Sequence, residues 1–236
     1  MRLAADAALV GLTLGMVALV GVGVALSARR SGREASSATR LGLAVVSVLA
    51  LWLGATALLA STDVLSFRSA RPSPWPLLPL SGIAALLLLG RAPLAKTLLA
   101  NTPRHWPIVA QSFRIGVELI IFAWHQDGRA PNQITFEGRN FDILVGLTAP
   151  LVAWLVATNR VTPKPVLLWN VLGLAILANT VATVATSTPG PLHLDWPGAP
   201  FTAITTWPVL WLPALLVPLA VFLHVMSLRQ TLTVPR

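Results

Sequence analysis

The sequence predicts an all-α integral membrane protein: one seven-transmembrane-helix bundle over residues 1–236, with its N-terminus outside and its C-terminus in the cytoplasm. Three observations carry that expectation. The chain is 55% hydrophobic and only 11% charged, against roughly 25% charge in an ordinary soluble domain, so it cannot furnish the wetted surface of a soluble fold. Its apolar residues fall into seven blocks near the length of a membrane span. Its basic residues collect on alternate joins between those blocks.

The blocks cover approximately residues 7–27, 41–60, 74–90, 106–124, 141–157, 166–187 and 207–226. A helix crossing a ~30 Å hydrocarbon core needs about 20 residues at 1.5 Å rise, and most of the blocks meet that length. The first has Arg29, Arg30 and Arg33 directly behind it, which favours a retained span over a cleaved signal. The third is the weakest, because Pro74, Pro76 and Pro79 crowd its start. The seventh carries Pro208, Pro213 and Pro218, each lacking a backbone N–H, so it should be kinked or locally unwound. Trp75, Trp106, Trp124, Trp169, Trp196 and Trp207 lie near block ends, where interfacial anchoring is expected. Gly11 with Gly15, and Gly146 with Ala149 and Ala153, suit close helix packing.

Orientation follows from counting the joins. Arg29, Arg30, Arg33, Arg40, Arg91, Lys96, Arg104, Arg160, Lys164, Arg229 and Arg236 fall on one side, eleven in all. Five fall on the other: Arg2, Arg68, Arg71, Arg129 and Arg139. The richer side is assigned to the cytoplasm. The net charge of +9 is thus explained by topology, and nucleic acid is not an expected partner; the lipid bilayer is. The absence of cysteine excludes thiol catalysis, cysteine-ligated zinc, iron–sulfur clusters and disulfides.

The residues that do not belong in lipid point to a site. At 100° per residue, Gln111, Arg114, Glu118 and His125 in the fourth block share an arc of about 60°. Arg114 and Glu118 are four apart, the spacing of an ion pair on one helix. A charge at mid-bilayer costs at least ~2.5–3.5 kcal/mol, so this face reads as an intramembrane polar site. Arg114 would hold an anionic group and Glu118 would take a proton or cation. A second cluster follows at the outer mouth: Glu137, Arg139, Asn140 and Asp142, interleaved with Phe136 and Phe141. Asp127-Gly128 and Glu137-Gly138 are turn signals, and Asn140 or Asp142 is placed to cap the next helix. The segment is expected to fold back over the mouth of the bundle.

The string Phe113-Arg114-x-x-x-Glu118, then Thr135-Phe136-Glu137-Gly138-Arg139-Asn140-Phe141-Asp142-Ile143-Leu144 and Gly146-Leu147-Thr148-Ala149-Pro150, resembles a family of uncharacterised bacterial multi-span membrane proteins. It covers the middle fifth of the chain. The resemblance implies a bacterial inner-membrane location and carries no activity with it.

No cofactor is expected. Retinal needs a lysine within a span, and Lys96 and Lys164 fall in joins. No metal site is expected either: His125, His193, Asp195, Asp127 and Glu137 gather on the outer side without ligand spacing on one helix. His105 and His224 are placed at the cytoplasmic end, as interfacial residues. In the sixth block Asn179, Thr183 and Thr186 share a face opposite Asn170, positions suited to helix–helix hydrogen bonds. The leading functional expectation is binding or transport of a small polar or anionic solute, alone or with a proton, at the Arg114/Glu118 face. A membrane-embedded enzyme acting on a lipid or isoprenoid, with Glu118, Glu137 and Asp142 as acid–base groups, is the second; no nucleophile or metal motif supports it. A non-catalytic sensory or assembly subunit is the third.

Overall fold

A computed structural model describes residues 2–68 and 72–233 of the chain. Arg71 and Arg236, two of the residues counted for orientation, lie outside the described residues, as does the side chain of Arg2. Among the described residues all regular structure is helical. The chain runs through α1 (Arg2–Arg30), α2 (Ala35–Ala60), α3 (Leu77–Leu89), α4 (Pro93–Ala100), α5 (Trp106–Ala110) and α6 (Phe113–Gln126). It continues through α7 (Asp142–Ala157), α8 (Pro163–Ser187), a π-helical turn at Leu212–Leu216 and α9 (Val217–Leu232).

All seven apolar blocks are helical, but they are not equal. Five stretches are long and apolar enough to cross a membrane: Leu3–Arg30, Ala35–Ala60, Trp106–Gln126, Pro163–Ser187 and Leu212–Leu232. A sixth is reached if α3 and α4, which meet at 79°, count as one broken span. The apolar α7 has 16 residues, short of the roughly 20 a crossing needs.

The first two helices form a hairpin turned at Gly32, whose φ of +87° suits glycine. They touch most closely at Gly21 and Gly42, where a Cβ on Gly42 would stand 2.6 Å from the Gly21 carbonyl oxygen. This is the small-residue contact of the hairpin. Gly11 and Gly15, expected to serve that purpose, have nothing within 4 Å of an added Cβ and face open space. Gly146, by contrast, lies against Ile115, and Ala149 and Ala153 are buried, so α7 meets α6 as expected.

The prolines of the last block act as predicted. Residues 207–210 form turns, the helix opens at Trp211, and a π turn follows at Leu212–Leu216. Pro218 has no N–H to offer the Ala214 carbonyl in the α-helical pattern. The indole Nε1 of Trp52 on α2 donates to that carbonyl at 2.9 Å, and Trp211 Nε1 returns a bond to Leu53 O at 3.2 Å. Two of the tryptophans expected at the interface are instead core residues: Trp75 is 5% exposed and Trp124 only 1%. An apolar ring whose N–H finds a partner is better placed inside, and Trp124 Nε1 donates to Asp6.

The chain brings its basic joins together. Ser27 at the end of α1 shares a hydrogen bond with Thr102. Arg229 Nη1 donates to Gly90 O at 2.8 Å, while Gln230 Nε2 donates to Leu99 O and Thr102 O at 3.0 and 2.7 Å. Gly90 precedes α4 and Leu99 lies in its last turn, and both bond to neighbouring residues of α9, so α4, bent by 79° from α3, lies across the end of the bundle. Lys96 therefore sits on a helix, and so does Lys164, in the first turn of α8; neither is in an irregular join as expected. At the opposite end the segment after α6 folds inward, with Gln133 Nε2 donating to Ser187 Oγ and Phe136 stacked on Phe122 at 5.0 Å.

Candidate functional site

The helix formed by the fourth block is broken at Gln111–Ser112. There the bonds tighten to three-residue spacing, with Arg114 N to Gln111 O and Ile115 N to Ser112 O, both at 3.1 Å. Gln111 turns its amide into the bundle and donates to the Ala220 carbonyl on α9 at 3.0 Å. One helical turn later Arg114 enters the core, 1% exposed.

Arg114 does not pair with Glu118. Its guanidinium forks onto Asp142 at the start of α7, with Nε donating to Oδ2 at 2.7 Å and Nη2 to Oδ1. The four-residue spacing allowed a pair on one helix, but a carboxylate brought in from another helix can accept two parallel bonds in the plane of the guanidinium. The remaining arm, Nη1, donates to His224 Nε2 at 3.1 Å. A guanidinium only donates, so Nε2 is the acceptor and the ring proton is on Nδ1. Nδ1 donates to Asn170 Oδ1 at 2.9 Å, and Asn170 Nδ2 donates to Val166 O and Ser227 Oγ at 2.8 and 2.9 Å. His224 is 0% exposed, not interfacial as its sequence position suggested. It fits because Gly173 faces it: a Cβ there would lie 2.4 Å from the imidazole Cε1.

Glu118 lies on the other side of Asp142 in the network. Its Oε1 accepts from Asn140 Nδ2 at 2.7 Å, whereas its Oε2 has no partner among the described residues, although the residue is only 1% exposed. Asn140 is fully used. Its Nδ2 also donates to Ile134 O, and its Oδ1 accepts from the Asp142 amide and from Thr180 Oγ1. It thereby ties the first turn of α7 to Glu118 and α8.

A cavity of about 70 Å³ borders Glu118, Asp142 and Thr180 and is otherwise walled by apolar groups such as Trp75, Ile121, Phe201 and Pro213. A second space of about 30 Å³ lies beside Arg114 and Asp142, against Leu216 and Ala220. The π turn forms part of both walls through Leu212. The larger space has room for a few water molecules, and nothing drug-sized.

Four expected residues thus converge: Arg114, Glu118, Asn140 and Asp142, drawn from clusters read as separate. The others do not. His125 is bonded to Ala130 O at 2.9 Å within its own turn. Glu137 and Arg139 are exposed, Arg139 resting over Trp196 at 5.2 Å. Glu137 therefore cannot join Glu118 and Asp142 as a third acid–base group. Asn179 donates to Arg139 O, and Thr183 and Thr186 bond back to their own helix. Sequence reasoning missed His224, Asn170, Thr180 and Ser227 as members of the network. Among the described residues no three His, Asp or Glu side chains form a group fit to hold a metal.

Long apolar helices around a buried set of charged side chains define a helical bundle of membrane type. Residues 74–232 match the model of a family described as Domain of unknown function (DUF8737), and the chain belongs to that family. The match takes in the whole network and leaves α1 and α2 outside it. No curated protein and no solved structure matches the chain.

Proposed function

We propose that the chain is a multi-pass protein of the bacterial inner membrane that binds or moves a small polar solute together with a proton or cation, with Glu118 as the exchanging group. The observation that carries this reading is the Oε2 of a buried carboxyl, without a hydrogen-bond partner among the described residues, at the edge of a cavity. A buried polar atom without a partner is costly, and folding alone gives no reason to keep it. The π turn walls that cavity through Leu212 and Pro213, and the break at Gln111–Ser112 comes just before Arg114; irregular helix of this kind is found often at functional sites.

The proposal narrows the solute. Arg114 already has Asp142 or His224 on each of its three nitrogens, so an anion there would compete with the Asp142 carboxylate. A cationic or neutral polar solute at Glu118 meets no such competition. Seven crossings with the N-terminus outside agree with the gathering of basic joins at one end, which is assigned to the cytoplasm. The α3 segment would complete its crossing through the Trp75 turn, since Trp75 borders the cavity and Gly90 meets Arg229.

Proteoliposomes loaded with a pH-sensitive dye and clamped at a membrane potential test this directly. Choline and tetramethylammonium serve as cationic probes, and acetate and inorganic phosphate as anionic ones. The expected result is a proton flux in the wild type, changed by a cationic probe and absent in Glu118→Gln. Equal flux in wild type, variant and empty vesicles would leave the sensory or assembly role as the better reading.

A further inference from the structure

The basic end of the bundle holds a feature independent of Glu118. The Arg30 guanidinium at the end of α1 lies over the Trp106 ring, 4.6 Å from its centroid, and makes no hydrogen bond among the described residues. Two residues before Trp106, the Nε of Arg104 is buried and without a partner among the described residues. The Ser27–Thr102 bond fixes this corner, joining α1 to the turn that carries Arg104. Arg29, Arg33 and Lys96 are exposed at the same end. Glu34 is the one acid among the described residues there, and its Oε1 is engaged by the Ser36 hydroxyl. The two ion pairs of the described residues, Arg114–Asp142 and Arg129–Asp6, lie elsewhere.

We infer that the Arg30–Arg104–Trp106 corner is a binding site for the headgroup phosphate of an anionic phospholipid. Tryptophan favours the headgroup depth, where lipid phosphates are also found. Arg30 is exposed and its guanidinium is held over Trp106 without a hydrogen-bond partner among the described residues, and a guanidinium edge matches two phosphate oxygens. The helix α4, lying across the end of the bundle, adds Lys96 to the same electrostatic field.

The test is native mass spectrometry of the full chain, released from detergent with equal amounts of phosphatidylglycerol and phosphatidylcholine. Retention of phosphatidylglycerol over phosphatidylcholine is expected in the wild type. Each basic contact at an anionic surface is worth roughly fivefold, so R30Q/R104Q should lose about 25-fold of that preference. R160Q/K164Q removes two exposed basic residues that are not part of the corner and should lose clearly less of the preference than R30Q/R104Q. Arg30 is exposed, so R30Q alone, with about a fivefold loss expected, serves should the double variant fail to fold. Equal retention of the two lipids by the wild type overturns the inference. So does an equal loss in R160Q/K164Q, which would mean diffuse attraction only. Competition by millimolar inorganic phosphate as effective as by lipid overturns it too, by pointing to a free-anion site.

Discussion

The polar interior has two halves that treat their charges differently. Around Arg114, each of the three nitrogens of a buried cation donates to an acceptor, and the chain of bonds passes through His224 and Asn170 to Ser227. Around Glu118, an equally buried acid accepts one bond and leaves its second oxygen bare beside a cavity. The first arrangement fixes how α6, α7, α8 and α9 sit against one another. The second adds little to that and leaves room for a change of state. On the proposed reading, that difference would separate a structural charge from a working one on the same face of one helix.

The comparison can be broken most forcefully at Arg114. R114Q strands the Asp142 carboxylate in the core, and removing one partner of a buried pair costs about 3–5 kcal/mol. Unfolding in detergent should show that loss, and the double change Arg114→Met with Asp142→Leu should recover about 2 kcal/mol or more of it. If the double variant is no better than R114Q, the pair is not the unit that matters.

A smaller effect is expected at Gly173. G173A drives a methyl into the His224 ring and should cost about 1–3 kcal/mol, with the His224 imidazole NMR signal shifted as the ring moves off Arg114. An unmoved signal would mean that the added methyl is accommodated without moving the ring off Arg114, which the closed half does not allow. Smaller still is W52F, which takes the donor from the Ala214 carbonyl at the π turn and should cost about 1 kcal/mol. Hydrogen exchange at Ala214–Val217 amides should rise with it. Because α2 lies outside the family match, this contact also tests whether the N-terminal hairpin braces the cavity wall or merely lies beside it.

Much of this was legible in the sequence, for identifiable reasons. The length of the apolar blocks located helical structure in each of the seven, though not how many of them cross a membrane, and the prolines located the irregular start of the last one. Helical spacing put Arg114 and Glu118 on one inward face, and turn chemistry brought Asn140 and Asp142 to the start of α7. Partner choice was not legible, because it is settled between helices: Arg114 at four-residue spacing from Glu118 met a better acceptor arriving from α7. His224 was misplaced for a different reason. Pro208 and Pro213 delay the last helix until Leu212, so it continues to Leu232 and its buried stretch moves toward the C-terminus. The one sequence signal for that pocket was Gly173, whose missing side chain has meaning only beside a ring from α9. Glu137 and Arg139 misled because a turn of mixed charged and aromatic residues looks alike whether its charges point inward or to water.

The central claim is that Glu118 is kept for what it does and not for what it holds. Denaturant unfolding of Glu118→Gln beside R114Q, in the same detergent, tests it most directly. The isosteric amide can still accept from Asn140 through its oxygen, so the stability of Glu118→Gln should remain within about 1 kcal/mol of wild type while R114Q falls by several. A loss in Glu118→Gln as large as that in R114Q would contradict the account and make the two halves one structural network.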